Sequence, residues 1–257
     1  MQNNIFSDLF VGQNFIYLKE VDSTNNYLKE LASKSKPLPE GTVIMAENQY
    51  AGRGQHQNGW FAEPGKNLTF SILLKPAFLE VAKQFDLVRA VSLGVFDAFE
   101  PVLGNQLKIK WPNDIYYGEK KLGGMLIENM IQGGQIKNAI VGIGLNINQE
   151  NFPDWVPNPV SVKQILHTDY HLQTLLAEIC SRVEGWYLKL KAGKVDEIRN
   201  VYLSRLYWLN EPHTFKVKDN IFAGAIRNVR DNGLLMVENN NNEQLEFSLK
   251  EIEFLNK

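Results

Sequence analysis

Lys110-Trp111-Pro112-Asn113-Asp114 closes an apolar run that starts at Leu107, and Lys121-Leu122-Gly123-Gly124 opens a second run that reaches Met130. The two runs, 107–111 and 121–130, read as strands on either side of a turn at Gly118-Glu119. Proline has no N–H to donate to a sheet ladder, so the first strand should end at Pro112 and leave Asn113 and Asp114 at its edge. A lysine just ahead of two glycines can reach an anion in a cleft with little steric obstruction, which is one role for Lys121. A plain strand end and a plain hairpin lysine are the alternatives.

Downstream, 138–148 is a third apolar run, broken by Gly142 and Gly144. Glycine weakens a strand, so close approach by a ligand or a backbone is a reasonable cause, and close internal packing explains it equally well. Upstream, 47–66 is a long polar stretch that carries Gly52-Arg53-Gly54 and Trp60. Such loops in compact domains usually carry function or move. Two glycines around an arginine let backbone N–H groups approach an anion while the guanidinium adds fixed charge; an ordinary turn is the alternative.

Around these segments strand and helix patterns alternate. Residues 15–18, 42–46 and 67–74 read as strands. Residues 25–35 read as a short helix with Tyr27, Leu28 and Leu31 on one face, capped from Asp22-Ser23-Thr24 and stopped by Pro37 and Pro39. Residues 85–99 predict a strong amphipathic helix, and helical patterns return at 172–190 and 195–206 after a loop holding Pro153, Pro157 and Pro159. From about Leu209 the pattern changes to short strands at 213–217, 221–229, 234–238 and 244–248, with turns at Asp219-Asn220 and Asp231-Asn232-Gly233. This predicts an α+β domain over 1–208 and a small barrel over 209–257.

Composition narrows the function. Apolar residues form 44% of the 257, enough for a substantial core. Lysine and arginine number 27 against 29 acidic residues, so no global charge draws the chain to nucleic acid. No run nears the roughly 18 apolar residues of a membrane span, and the first ten residues lack a signal peptide's pattern. The single Cys180, among Leu175, Leu176, Ile179 and Val183, fits a core thiol in a reducing cytoplasm. His56, His167, His171 and His213 show no metal-ligand spacing, so no protein-held metal is expected.

Together and in order, these segments resemble the catalytic region of biotin–protein ligases. The resemblance rests on Asp22-Ser23-Thr24-Asn25, on AENQYAGRG at 46–54 with Trp60 beyond it, on KWPND at 110–114, on KLGGMLIE at 121–128 and on GIGLNIN at 142–148. Residues 209–257 resemble, more loosely, that family's SH3-like β-barrel. The resemblance implies a class II synthetase-like catalytic domain of the biotin/lipoate ligase type, with a mixed central sheet flanked by helices. It further implies an enzyme that uses ATP, with Mg²⁺ on the phosphates, to make biotinyl-5′-AMP and then joins biotin to a lysine of a biotin carboxyl carrier protein. A lipoate ligase or octanoyltransferase and a non-catalytic biotin-binding protein are the alternatives. Polar Ser23, Thr24 and Gln49 favour a ureido ring, and Lys121 argues for an enzyme.

The same resemblance implies residue roles. Ser23, Thr24, Asn25 and Gln49 would surround the ureido ring, with Gly124, Gly142 and Gly144 on the floor beneath biotin. Gly52 and Arg53 would belong to the loop that folds over biotin and its adenylate. Lys121 would stand between the biotin carboxylate and the α-phosphate. Gln55, Lys110, Asn113 and Asn146 would meet the nucleotide, and Trp60 its adenine. Lys121, Arg53 and Asp114 are the expected catalytic groups, Asp114 serving the acceptor lysine. Many members of the family continue the loop as GRGRxGR, whereas Gln55 and Asn58 replace two of those arginines here. With Ser23 so near the first residue, the expectation is a short form without an N-terminal DNA-binding domain, with no DNA or membrane partner. A homodimer through the catalytic sheet is left open.

Overall fold

The computed structural model describes residues 10–34, 37–55 and 58–255. The start of the chain, the last residue expected of the first helix (Ser35) and His56 lie outside the described residues.

Seven strands make one sheet: β1 (Phe15–Val21), β2 (Val43–Gln49), β3 (Leu68–Leu74), β4 (Leu107–Lys110), β5 (Asp114–Tyr117), β6 (Lys120–Gln132) and β7 (Gln135–Leu145). Their order is β1-β2-β3-β7-β6-β5-β4, with β1 and β2 parallel and the other neighbours antiparallel, so the sheet is mixed as expected. β3 is buried at every position because it lies inside the sheet with both faces covered. Phe70, Ile72, Val141, Ile143, Ile109 and Ile115 join the main core together with α2 (Phe85–Leu103), α4 (Leu172–Lys191) and α5 (Val195–Ser204). On the opposite face Ile44, Leu73 and Ile140 pack with Leu28 of α1 (Thr24–Ser33). Since α1 meets β2, β3 and β7, the rest of that face is left for a cleft.

Several expectations need correction. The helix beginning at Phe85 runs past Phe99 and through Pro101 to Leu103, and it is buried around most of its circumference, Asp86, Arg89 and Ser92 included. Its neighbours on both sides leave no broad solvent face to read as amphipathic. Asn113 and Asp114 are not a loose strand edge: Lys110 pairs with Asp114, so Pro112 and Asn113 belong to the tight connection of a β4–β5 hairpin. A four-residue strand is too short for periodicity to reveal. The same holds for α3 (Val162–Leu166), whose one visible signal is the capping box formed by Ser161 and Gln164. Ser23 is the N-cap of α1 by position, but its side chain makes no capping bond.

The C-terminal segment folds as β8 (Pro212–Val217), β9 (Asn220–Val229), β10 (Leu235–Asn239), β11 (Gln244–Phe247) and β12 (Glu253–Leu255), antiparallel in the order β11-β10-β9-β8-β12. The strands are those expected, plus β12, but the barrel is not closed, since β11 and β12 remain its two edges. This sheet is fastened to the first. Buried Arg89 donates to the carbonyls of Val229 and Arg230 at 2.9 and 2.7 Å, and Trp111 Nε1 donates to Gly233 O at 2.9 Å. Cys180 is fully buried on α4, where burial raises its thiol pKa. Among the described residues no helix is long and apolar enough to cross a membrane.

Candidate active site

One register row crosses the open face of the sheet. Lys110 lies opposite Asp114, Asp114 opposite Gly124, Gly124 opposite Gly144, and Gly144 opposite Thr69. Paired residues in an antiparallel ladder point to the same side, so this row presents charge at its β4 end and bare backbone at its centre. Lys121 joins it through a bulge. Ile115 pairs with Gly123 while Tyr116 pairs with Lys121, so Leu122 is an extra residue in β6. Without it Lys121 would fall on the opposite face; with it, Leu122 turns into the core and Lys121 turns toward Asp114. Lys121 Nζ then donates to Asp114 Oδ2 at 2.7 Å, and both side chains keep about a quarter of their exposure (29% and 25%).

Above this row lies a cavity of about 760 Å³. Its walls include Ser23, Thr24, Asn25, Gln49, Arg53, Gln55, Asn58, Trp60, Lys110, Asn113, Asp114, Lys121, Gly124, Gly142 and Gly144. Sequence reasoning had named each of these. Gly52 and Asn146 do not line it. The Asn146 amide is engaged by Val160 O at 3.2 Å and Lys121 O at 3.4 Å, so it fastens the start of β6 to the loop beyond β7. Asn113 likewise donates to the Met125 carbonyl. Gly52 approaches the other arm of its own loop, where a Cβ would strike the Trp60 carbonyl.

At one end of the cavity the polar groups form a closed network. Thr24 donates to Gln49 Oε1 from its backbone N at 2.8 Å and its hydroxyl at 3.0 Å. The Ser71 hydroxyl lies 2.8 Å from Thr24 Oγ1 and 2.6 Å from Asn25 Oδ1. Asn25 Nδ2 donates to Glu128 Oε2 at 3.0 Å. Ser71, Asn26 and Glu128 were not foreseen as site residues, although Glu128 ends a segment already singled out. Burial raises the Glu128 pKa, but the Asn25 hydrogen bond and the charges of Arg53 and Lys29 outweigh it, and the net shift is downward. The guanidinium of Arg53, expected near phosphate, is instead engaged by Glu128 and Asn26.

The glycine floor has a physical cause. A Cβ on Gly142 would fall on Asn25 Oδ1, and one on Gly144 would lie 2.5 Å from Trp60 Cε2. Trp60 thus rests against Gly144, with its Nε1 buried and unpartnered among the described residues. At the charged end Lys110 Nζ lies 4.5 Å from the Tyr116 ring centroid and 4.9 Å from that of Phe254. Burial lowers its pKa, Asp114 opposes that shift and Lys121 adds to it. Leu249, Lys250, Ile252, Glu253 and Phe254 complete the wall. Nothing in the sequence pointed to them, because they reach the cavity only through the docking of the second sheet. His171 caps α4 and His213 stacks on Trp208 at 3.7 Å; neither lines the cavity. No group of three His, Cys, Asp or Glu among the described residues is placed to hold a metal.

Residues 17–146 match the model of the biotin/lipoate A/B protein ligase family. The bifunctional ligase/repressor BirA of Bacillus subtilis is 30% identical over 90% of this chain and 71% of its own length. The biotin–[acetyl-CoA-carboxylase] ligase of Paracoccus denitrificans is 28% identical over 86% of this chain and 92% of its own. Among solved structures, the biotin protein ligase from Aquifex aeolicus in complex with biotin and ATP superimposes with a TM-score of 0.79 at 27% identity, covering 95% of this chain and 100% of that one.

Proposed function

The chain belongs to the biotin/lipoate A/B protein ligase family, and on that footing we propose that it is an ATP-dependent biotin–protein ligase. The observation that carries this reading is the Lys121–Asp114 pair, 2.7 Å apart, in a cavity whose other end is lined by Ser23, Thr24, Asn25 and Gln49. A ureido ring can both donate to and accept from that network of hydroxyls and amides. An aliphatic lipoyl or octanoyl tail offers it no hydrogen bond in exchange for lost water, which favours biotin. We assign the catalytic domain to 1–208 and the second domain to 209–257.

In the first step a biotin carboxylate oxygen attacks the α-phosphorus of ATP, pyrophosphate leaves, and biotinyl-5′-AMP forms. Two anions meet and negative charge grows in the transition state, so fixed cations lower the barrier. Lys121 supplies the ammonium at the point of attack, and Lys110 a second on the same row. Mg²⁺ would enter as a companion of the triphosphate. Bound there, it would neutralise phosphate charge.

In the second step a lysine amine of the acceptor attacks the acyl carbon and AMP leaves. Only about one free lysine in a thousand is neutral near pH 7.4, so the amine needs help to lose its proton. Asp114 orients the ammonium and accepts that proton. The acceptor is the biotin carboxyl carrier domain of a carboxylase, and the setting is the cytoplasm.

The test is pyrophosphate release from near-stoichiometric enzyme with MgATP and biotin, lipoate or octanoate, without acceptor. A single burst with biotin alone is expected. A burst with lipoate would reassign the substrate, and biotin binding without any burst would leave a binding protein.

A further inference from the structure

Arg53 lies beside the cavity, yet its charge is already matched. Its Nη1 lies 3.3 Å from Glu128 Oε2 and its Nη2 3.2 Å from Glu128 Oε1, a fork meeting both carboxylate oxygens. Nη1 also donates to Asn26 Oδ1, and the Asn26 amide is itself held by Asp22 at 2.6 Å. The carboxylate is the fixed half of this pair. Glu128 is 19% exposed against 40% for Arg53, and Asn25 at 3.0 Å and Lys29 at 3.3 Å hold it from α1. The loop backbone is closed upon Arg53. Residue 53 bridges to Gly59, Trp60 N donates to Gly52 O at 2.8 Å, and Gly54 N donates to Asn58 O at 2.7 Å. Fixing one side chain therefore fixes both arms of the loop, including the base of Trp60.

We propose that Arg53 and Glu128 form a clasp that holds the backbone of residues 52–54 and 59–60 beside the Asn25 end of the cleft, and that Arg53 positions this loop and does not bind phosphate. What the loop retains rests on the ligase reading; the clasp itself does not. Asn25 and Arg53 share the Glu128 carboxylate, so the end of the cavity assigned to the ring and the loop beside it are tied to one group. Arg53 is a positioning residue, and the adenylation cations are Lys121 and Lys110.

The experiment compares Arg53→Gln, Glu128→Gln and the double variant with the wild-type chain. Amide hydrogen exchange at residues 52–54 and 59–60 is measured without ligand, alongside biotin dissociation, the KM for ATP and pyrophosphate release at saturating biotin. Either single change should speed exchange and biotin loss about three- to tenfold, with the double variant no worse than the singles, as expected for one shared interaction. Any change in the KM for ATP or in the release rate, carried through the base of Trp60, should be the same in the two single variants and no larger in the double. Unchanged exchange in Glu128→Gln overturns the clasp, and so does a raised KM for ATP in Arg53→Gln alone. If wild type gives no pyrophosphate with biotin, the ligase reading fails while the exchange data still decide the clasp.

Discussion

Lys121 Nζ lies 2.7 Å from Asp114 Oδ2 because Leu122 is an extra residue in β6. An unbroken ladder would have paired Leu122 with Tyr116 and turned Lys121 toward the helices. The bulge places the two groups assigned to the two half-reactions in one ion pair. An anionic substrate must therefore compete with Asp114 for the ammonium.

Lys121→Ala tests the first half of that arrangement. The ammonium is assigned to charge that develops as the carboxylate meets the α-phosphate, so its loss should slow the burst by about 10²- to 10³-fold, the scale for removing a donor aimed at a transition state. ATP affinity should fall far less, since Lys110 remains on the same row. Burst kinetics across ATP concentrations separate the two, and equal losses in rate and affinity would count against the role.

Asp114→Asn tests the second half. Asparagine keeps the shape and can still meet Lys121, but it cannot accept a proton. Transfer from preformed biotinyl-5′-AMP to the acceptor should slow by about 10²- to 10⁴-fold, the usual range for a lost general base. Normal transfer in a single-turnover assay would remove Asp114 from the mechanism.

The long elements were legible in the sequence because period is local, and most of the cavity wall was legible through the resemblance of its segments to the ligase family. α4 was bounded within a residue, and fifteen wall residues could be named from five segments without knowing their register. Register itself was not legible. The Leu122 bulge is one residue in a strand of ordinary composition, and β5 is too short to show alternation. The Arg53–Glu128 contact joins residues 75 apart, and GRG alone cannot say whether the guanidinium faces a phosphate or a carboxylate. The wall from Leu249 to Phe254 is the extreme case, since it depends on how two sheets dock.

Lys110→Met should separate stability from activity. Burial lowers the ammonium's pKa, with Lys121 assisting and Asp114 opposing. With the folded value below the unfolded one, the charge costs stability at neutral pH, and that cost disappears as pH rises through the folded value toward the unfolded one. The rings of Tyr116 and Phe254 return part of it through cation–π attraction, of about 0.5–2 kcal/mol each. Methionine keeps the packing and removes both terms, so stability should stay within about 1 kcal/mol of wild type or rise. The KM for ATP should still increase about tenfold. A parallel loss of stability and activity, read by thermal melting beside the burst assay, would make Lys110 a structural residue only.

Gln55→Arg addresses how long the adenylate is kept. Gln55 and Asn58 both line the cavity where the resemblance to the family's GRGRxGR loop implies arginine, and the Arg53 charge is matched by Glu128. Among the described residues the cavity's remaining cations are Lys110, Lys121 and Lys250, opposed by Asp114 and Glu253. The field holding an anionic adenylate is therefore weak on the loop side. A guanidinium at position 55 adds attraction of about 1–4 kcal/mol at contact distance, between the values for bulk water and for a protein surface, reduced by salt and side-chain ordering. Release of preformed biotinyl-5′-AMP into solution should slow by about three- to tenfold, and the effect should shrink as salt rises from 50 to 500 mM, on the screening scale of about 10 Å at 0.1 M. Transfer to the acceptor should be unaffected, because position 55 is not assigned to the attacking amine. A release rate that ignores both substitution and salt would mean that hydrogen bonds and the fit around Trp60, and not charge, retain the intermediate.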